Sequence, residues 1–208
     1  MKLYVNGCSF SYGNTADNKF AWPDILPYDV TNESWIAGSN KRIFRRTKKY
    51  LENNDVDLVI LQLTDPYRDE FYNSINDLWL GQQGDYLHFD DESYERKDID
   101  QKLIKMQWEN FRKFNLLTRT EEQVDNESFY MLNSMIQYLD HINTDYLITA
   151  MSNKCIPNNI IGSNNNNILK PMSHVVDLEN TYEDGHPNNE GHNQFARYIL
   201  NEIEKKYE

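Results

Sequence analysis

Apolar positions follow two periods along this chain. Short continuous runs at Lys2-Leu3-Tyr4-Val5-Asn6, at 57–63 and at 145–150 have the length and flanking polar residues of buried strands. Ser34-Trp35-Ile36-Ala37 is expected to be a brief second strand, and Val175-Val176-Asp177-Leu178 a fifth strand or an extended segment. Helical spacing takes over between these runs. Ile43, Thr47, Tyr50 and Leu51 mark a helix over 41–53, and Met131, Leu132, Met135, Ile136, Leu139 and Ile142 stripe a helix over 121–142. Phe195, Ala196, Ile199, Leu200 and Ile203 stripe a last helix over 189–206, with Asn188 as its N-cap after Pro187. Residues 98–117 form another helical pattern, 22–26 a short helix bounded by prolines, and 67–79 are expected to be helical. Residues 81–95 read as a Gly/Asp/Tyr-rich loop and 158–167 as a mobile, Asn-rich one.

Strands alternating with helices predict an α/β protein with three α/β/α layers. The expected sheet is open, parallel, flavodoxin-like and about five strands wide. The stretch from about 67 to 142 is long for one crossover, so one domain over 1–208 with a helical or loop insertion there is expected. Each predicted strand ends in a polar turn, and in such sheets the carboxyl edge is where ligands sit.

Composition narrows the function. Lys plus Arg is 21 against 33 Asp plus Glu, a formal charge of −12, which disfavours nucleic acid and anionic membranes as partners. The 13% aromatic content argues against disorder. Two cysteines, Cys8 and Cys155, make no disulfide framework. The first residues lack an apolar signal-peptide core, and no apolar run approaches membrane-spanning length. A cytoplasmic protein is therefore expected, and a virus particle fits equally well. His88, His141 and His174 lack metal-ligand spacing, so neither metal nor cofactor is expected.

The candidate chemistry lies at three strand-end turns, Ser9, Ser39-Asn40 and Thr64-Asp65, and at a fourth polar cluster just before the last helix, Glu183-Asp184-Gly185-His186-Pro187. Acyl transfer needs a hydroxyl, a base within reach, a carboxylate orienting that base, and donors for an oxyanion. Ser9, His186 and either Glu183 or Asp184 supply the first three. The amides of Ser9 and Gly38, with Asn40, supply the last. Asp65 and Arg68 are spaced for a local ion pair, His192 reads as a packed or solvated helix residue, and the basic residues of 41–53 read as a solvated face.

The same residues resemble the SGNH hydrolase superfamily, the GDSL esterases and lipases. Gly7-Cys8-Ser9-Phe10-Ser11-Tyr12-Gly13 is similar to the family's first block, Gly-Asp-Ser-x-Ser/Thr-x-Gly, which implies Ser9 as nucleophile. Gly38 matches the second-block glycine of the oxyanion hole. Gln62-Leu63-Thr64-Asp65 stands where the family has Gly-x-Asn-Asp, and Glu183-Asp184-Gly185-His186-Pro187 corresponds to Asp-x-x-His, implying His186 as base. The chain departs from the pattern at Cys8, Gln62 and Thr64. Family spacing favours Glu183 as the acid, with Asp184 as the alternative, and either Asn40 or Thr64 for the oxyanion. The implied function is a serine hydrolase of carboxylic esters, with a small-molecule or glycan ester such as an O-acyl carbohydrate as substrate. Two alternatives stand beside it. One is a catalytically impaired scaffold that binds a glycan or plays a structural part. The other is an FMN-binding module, because Ser9 to Thr15 also resembles a flavodoxin phosphate loop.

Overall fold

The computed structural model describes residues 1–13, 20–73, 78–83, 86–89, 101–157, 160 and 165–208. Its centre is a parallel sheet in the order β2-β1-β3-β7, formed by Lys2–Asn6 (β1), Asp29–Asn32 (β2), Leu58–Leu63 (β3) and Asp145–Ala150 (β7). Alternate residues divide the core. Leu3, Val5, Leu58, Ile60 and Leu147 face Trp22 and Leu26, near the short helix Trp22–Ile25 (α2), and Phe195, Ile199 and Ile203 of Asn189–Tyr207 (α6). Tyr4, Val59, Leu61, Leu63, Tyr146 and Ile148 face Ile43 and Phe44 of Asn40–Leu51 (α3), and Leu132, Met135 and Leu139 of Glu121–His141 (α5). This is the expected α/β/α sandwich, with period-2 alternation in the strands feeding a helical layer on each face.

The second strand differs from expectation. It is Asp29–Asn32, not 34–37: a polar edge strand carries little apolar signal. Trp35 instead belongs to a turn, its N–H donating to the Gly7 carbonyl at 3.1 Å and its ring stacking edge-on with Tyr12. Residues 175–178 form no strand, and among the described residues the sheet has four strands. A fifth position survives as one parallel bridge between Ile148 and Ile168 at the β7 edge.

Residues 67–79 are not helical where described. Asp69–Asn73 (β4), Leu78–Gln83 (β5) and Tyr86–Phe89 (β6) make an antiparallel sheet, in which Tyr72 pairs with Trp79. Aromatic residues at these positions suit a pleated surface. The loop expected over 81–95 is strand at its described positions, and 84–85 and 90–95 lie outside the described residues. So does most of the Asn-rich stretch 158–167. Gln101–Thr118 (α4) follows, and Phe111 packs on Phe71 with ring centroids 4.5 Å apart. The basic side of α3 is not simply solvated. Lys41 pairs with Asp69 (2.6 Å), Arg45 grips Glu70 with two bonds (3.0 and 2.9 Å), and Arg46 holds Glu33. These contacts tie the small sheet to α3. Among the described residues, no helix is long and apolar enough to cross a membrane.

Candidate active site

The chain leaves β1 for β2 on one side and returns to β3 on the other. The crevice between the carboxyl ends of β1 and β3 is therefore the topological switch point. Ser9 sits there, opening the single-turn helix Ser9–Tyr12 (α1). Gly7 makes the turn possible. A Cβ on it would meet Ser11 Oγ at 2.7 Å and Gln62 Cβ at 3.1 Å. Ser11 is the brace of this turn: its hydroxyl donates to Gln62 Oε1 (2.5 Å) and accepts from Trp22 Nε1 (3.1 Å), while Gln62 Nε2 donates to Met172 Sδ (3.4 Å). All four partners are buried.

Ser9 Oγ lies 2.9 Å from His186 Nε2, although the two residues are 177 positions apart. The His186 ring is steadied by Phe10, with centroids 4.6 Å apart. A tight hairpin presents the imidazole. Thr181 and Pro187 bridge, Tyr182 N–H donates to the His186 carbonyl (2.7 Å), and Gly185 N–H donates to the Tyr182 carbonyl (2.9 Å). Gly185 is left-handed, at φ +82°, a conformation other residues pay to adopt.

This hairpin sets the two candidate acids at different places. Asp184, not Glu183, faces the ring: its Oδ2 is 3.1 Å from His186 Nδ1, and its Oδ1 accepts the His186 backbone N–H at 3.0 Å. Glu183 is exposed on the outside of the turn. Family spacing alone favours Glu183; in a turn, an Asp bonds the backbone two residues on. That N–H holds the Asp184 carboxyl below its ordinary value. Nδ1 is shut off from water, but its N–H does not lie along the line to Oδ2, so the contact is an ion-pair approach rather than an aligned hydrogen bond.

The oxyanion candidates are arranged differently from expectation. The Gly38 N–H donates to the Trp35 carbonyl at 3.0 Å, so it is already engaged. Gly38 is needed for space: a Cβ there would meet the Trp35 and Gly7 carbonyls at 3.2 and 3.3 Å. Thr64 is fully buried, and its hydroxyl points to Met151 Sδ at 3.6 Å. Asn40 caps the carboxyl end of β3: Oδ1 accepts the Thr64 N–H (2.9 Å) and Nδ2 donates to the Thr64 carbonyl (3.1 Å). Its second Nδ2 hydrogen and the Ser9 N–H have no acceptor among the described residues. Asp65 does not pair with Arg68; its Oδ1 takes the Tyr67 N–H at 2.9 Å. The Ser9 and Ser11 hydroxyls are both committed, so neither is set for an FMN phosphate, and Thr15 lies outside the described residues. No cluster of metal-ligating residues occurs among the described residues.

Sequence reasoning missed the Ser11–Gln62–Trp22 brace. Its signal was present as Gln62 at a family glycine position, beside a small residue at position 7.

No protein-family model matches the chain, and no curated protein matches it in sequence. Solved structures do. A psychrotrophic esterase from Pseudoalteromonas sp., in a structure inhibited by monoethylphosphonate, superimposes with a TM-score of 0.59 at 11% identity, covering 99% of this chain and 98% of that one. A GDSL-like lipase from Bacteroides thetaiotaomicron superimposes with a TM-score of 0.52 at 12% identity, covering 99% and 88%. The chain has the SGNH hydrolase fold. Within that fold, Ser9 lies within hydrogen-bonding distance of His186, and Asn40 is bonded to the backbone of Thr64.

Proposed function

We propose that this protein is a serine hydrolase of carboxylic esters. The 2.9 Å contact between Ser9 Oγ and His186 Nε2 carries the reading, since it is the distance general-base activation requires. Ser9 Oγ attacks the ester carbonyl while Nε2 takes its proton. Asp184 at Nδ1 favours the tautomer with a free Nε2 lone pair and stabilises the imidazolium that forms. The Ser9 N–H and the second Asn40 Nδ2 hydrogen serve the oxyanion. The imidazolium returns its proton to the departing alcohol. Water, deprotonated by the same Nε2, then releases the acid and regenerates Ser9. An O-acyl carbohydrate suits the exposed Tyr12 ring beside the Ser9 turn, since a sugar stacks on an aromatic surface.

One observation favours a second reading, a scaffold that binds a glycan or serves structurally without turnover. The Gly38 N–H is spent on Trp35, so one expected oxyanion donor is missing. Labelling with a fluorophosphonate separates the two. The hydrolase labels on Ser9, loses the label in Ser9→Ala and His186→Ala, and turns over 4-nitrophenyl acetate. A folded protein that neither labels nor hydrolyses leaves only the scaffold.

A further inference from the structure

We propose that Arg68 binds an anionic group of the substrate, so that the preferred ester carries a carboxylate or sulfo group beside its scissile bond; this rests on the hydrolase reading above. Arg68 is 9% exposed, and its Nε and Nη1 are enclosed with no hydrogen-bond partner. Every other described arginine has a partner: Arg42, Arg45, Arg46 and Arg119 hold backbone or carboxylate oxygens, Arg197 holds Glu190, and Arg112 interacts as well. The carboxylates nearest Arg68 in sequence are otherwise engaged. Asp65 takes the Tyr67 N–H, Asp69 sits between Lys41 (2.6 Å) and Arg119 (2.9 Å), and Glu70 is held by Arg45. An always-charged group buried without a counter-charge is a cost of folding with no structural return. In a chain with 33 acidic and 21 basic residues, partners were plentiful. A guanidinium left unpaired in the fold matches the two oxygens of a carboxylate or sulfo group.

Its place in the fold puts it at the same edge of the sheet as the Ser9 turn. Arg68 lies between two anchors at the carboxyl edge of the sheet. On one side Thr64, just past β3, is bonded to Asn40 at the start of α3; on the other, Asp69 is bonded to Lys41, the next residue of α3. β3 pairs directly with β1, whose end carries Ser9.

The test uses the intact chain and three esters: neutral 4-nitrophenyl acetate, mono-4-nitrophenyl succinate with its charge on the acyl part, and 4-acetoxybenzenesulfonate with its charge on the alcohol part. Arg68→Met is expected to lower the ratio of kcat/KM for one anionic ester over the neutral one by about 10- to 100-fold, the range for a charged hydrogen bond. Arg68→Lys, which keeps the charge without the fork, falls between. The ester that responds tells which side of the scissile bond the anion occupies. Ratios unchanged in both variants overturn the inference. Calorimetric titration of inorganic sulfate at fixed ionic strength is the second arm. Sulfate bound by the wild type and not by Arg68→Met, with no ester turned over, upholds the anion site and removes the hydrolase reading; sulfate bound equally by both overturns the anion site.

Discussion

His192 makes stability depend on pH, with a sign set by its burial. It is 2% exposed on the inner side of α6, and its Nδ1 accepts the Trp22 backbone N–H at 3.3 Å. Burial pushes its pKa down from 6.5 to about 4, and the charge of nearby His186 pushes the same way. The unfolded chain binds a proton at this residue below pH 6.5 and the folded chain does not until about pH 4. Stability from keeping His192 neutral is therefore complete above pH 6.5 and lost as the pH falls. Integrated, the loss is about 2 kcal/mol by pH 5 and about 3 kcal/mol by pH 4. Asp184, held below its ordinary 3.8, acts with the same sign but only at lower pH. Urea unfolding followed by tryptophan fluorescence from pH 7 to 4.5 measures the effect. His192→Asn keeps an oxygen to accept the Trp22 N–H and removes the titration. That variant starts about 1–2 kcal/mol less stable from lost packing, but its stability stays flatter down to pH 5. Parallel wild-type and variant curves, or a flat wild-type curve, would refute the argument.

Two other substitutions test the site's construction. Asp184→Asn should lower kcat/KM on 4-nitrophenyl acetate by about 10- to 100-fold, less than the roughly 10⁴-fold cost of losing a buried orienting carboxylate, because Asp184 is exposed; Glu183→Gln should change it by less than about twofold, and steady-state kinetics on both variants decides which acid matters. Gly7→Ala puts a methyl 2.7 Å from Ser11 Oγ and should cost about 1–3 kcal/mol of stability, read as a lower Tm together with slower labelling of Ser9.

What was legible in the sequence was whatever is buried on both sides. β1, β3 and β7 read as apolar runs because a helical layer covers each face, and α6 read cleanly because its cap and stripe agree. β2 escaped because an edge strand of Asp, Val, Thr and Asn is only half covered. The small sheet escaped because its buried positions include Asp69 and Glu70, polar residues made tolerable by cations on α3 and α4's following turn. In the site, residue types and order sufficed to bring Ser9 to His186. The choice of Asp184 over Glu183 depends on a hairpin whose bonds are visible only in three dimensions, as does the engagement of Gly38 by Trp35.

The departures from the SGNH pattern are linked rather than independent losses. A glycine at position 62 would leave Ser11 without its acceptor beneath the nucleophile turn; Gln62 fills that space and joins α1 to Met172 and, through Ser11, to Trp22. A carboxamide at position 64 would sit where Thr64 packs fully buried against Met151. The carboxamide stands instead at position 40, across the crevice, bonded both ways to the Thr64 backbone. One side chain thereby fixes the end of β3 and still keeps a hydrogen to donate. An Asn at position 64 would strip Met151 of its Thr64 hydroxyl contact. The surroundings of the Ser9–His186 contact are thus held by Ser11, Gln62, Asn40 and Thr64 acting together.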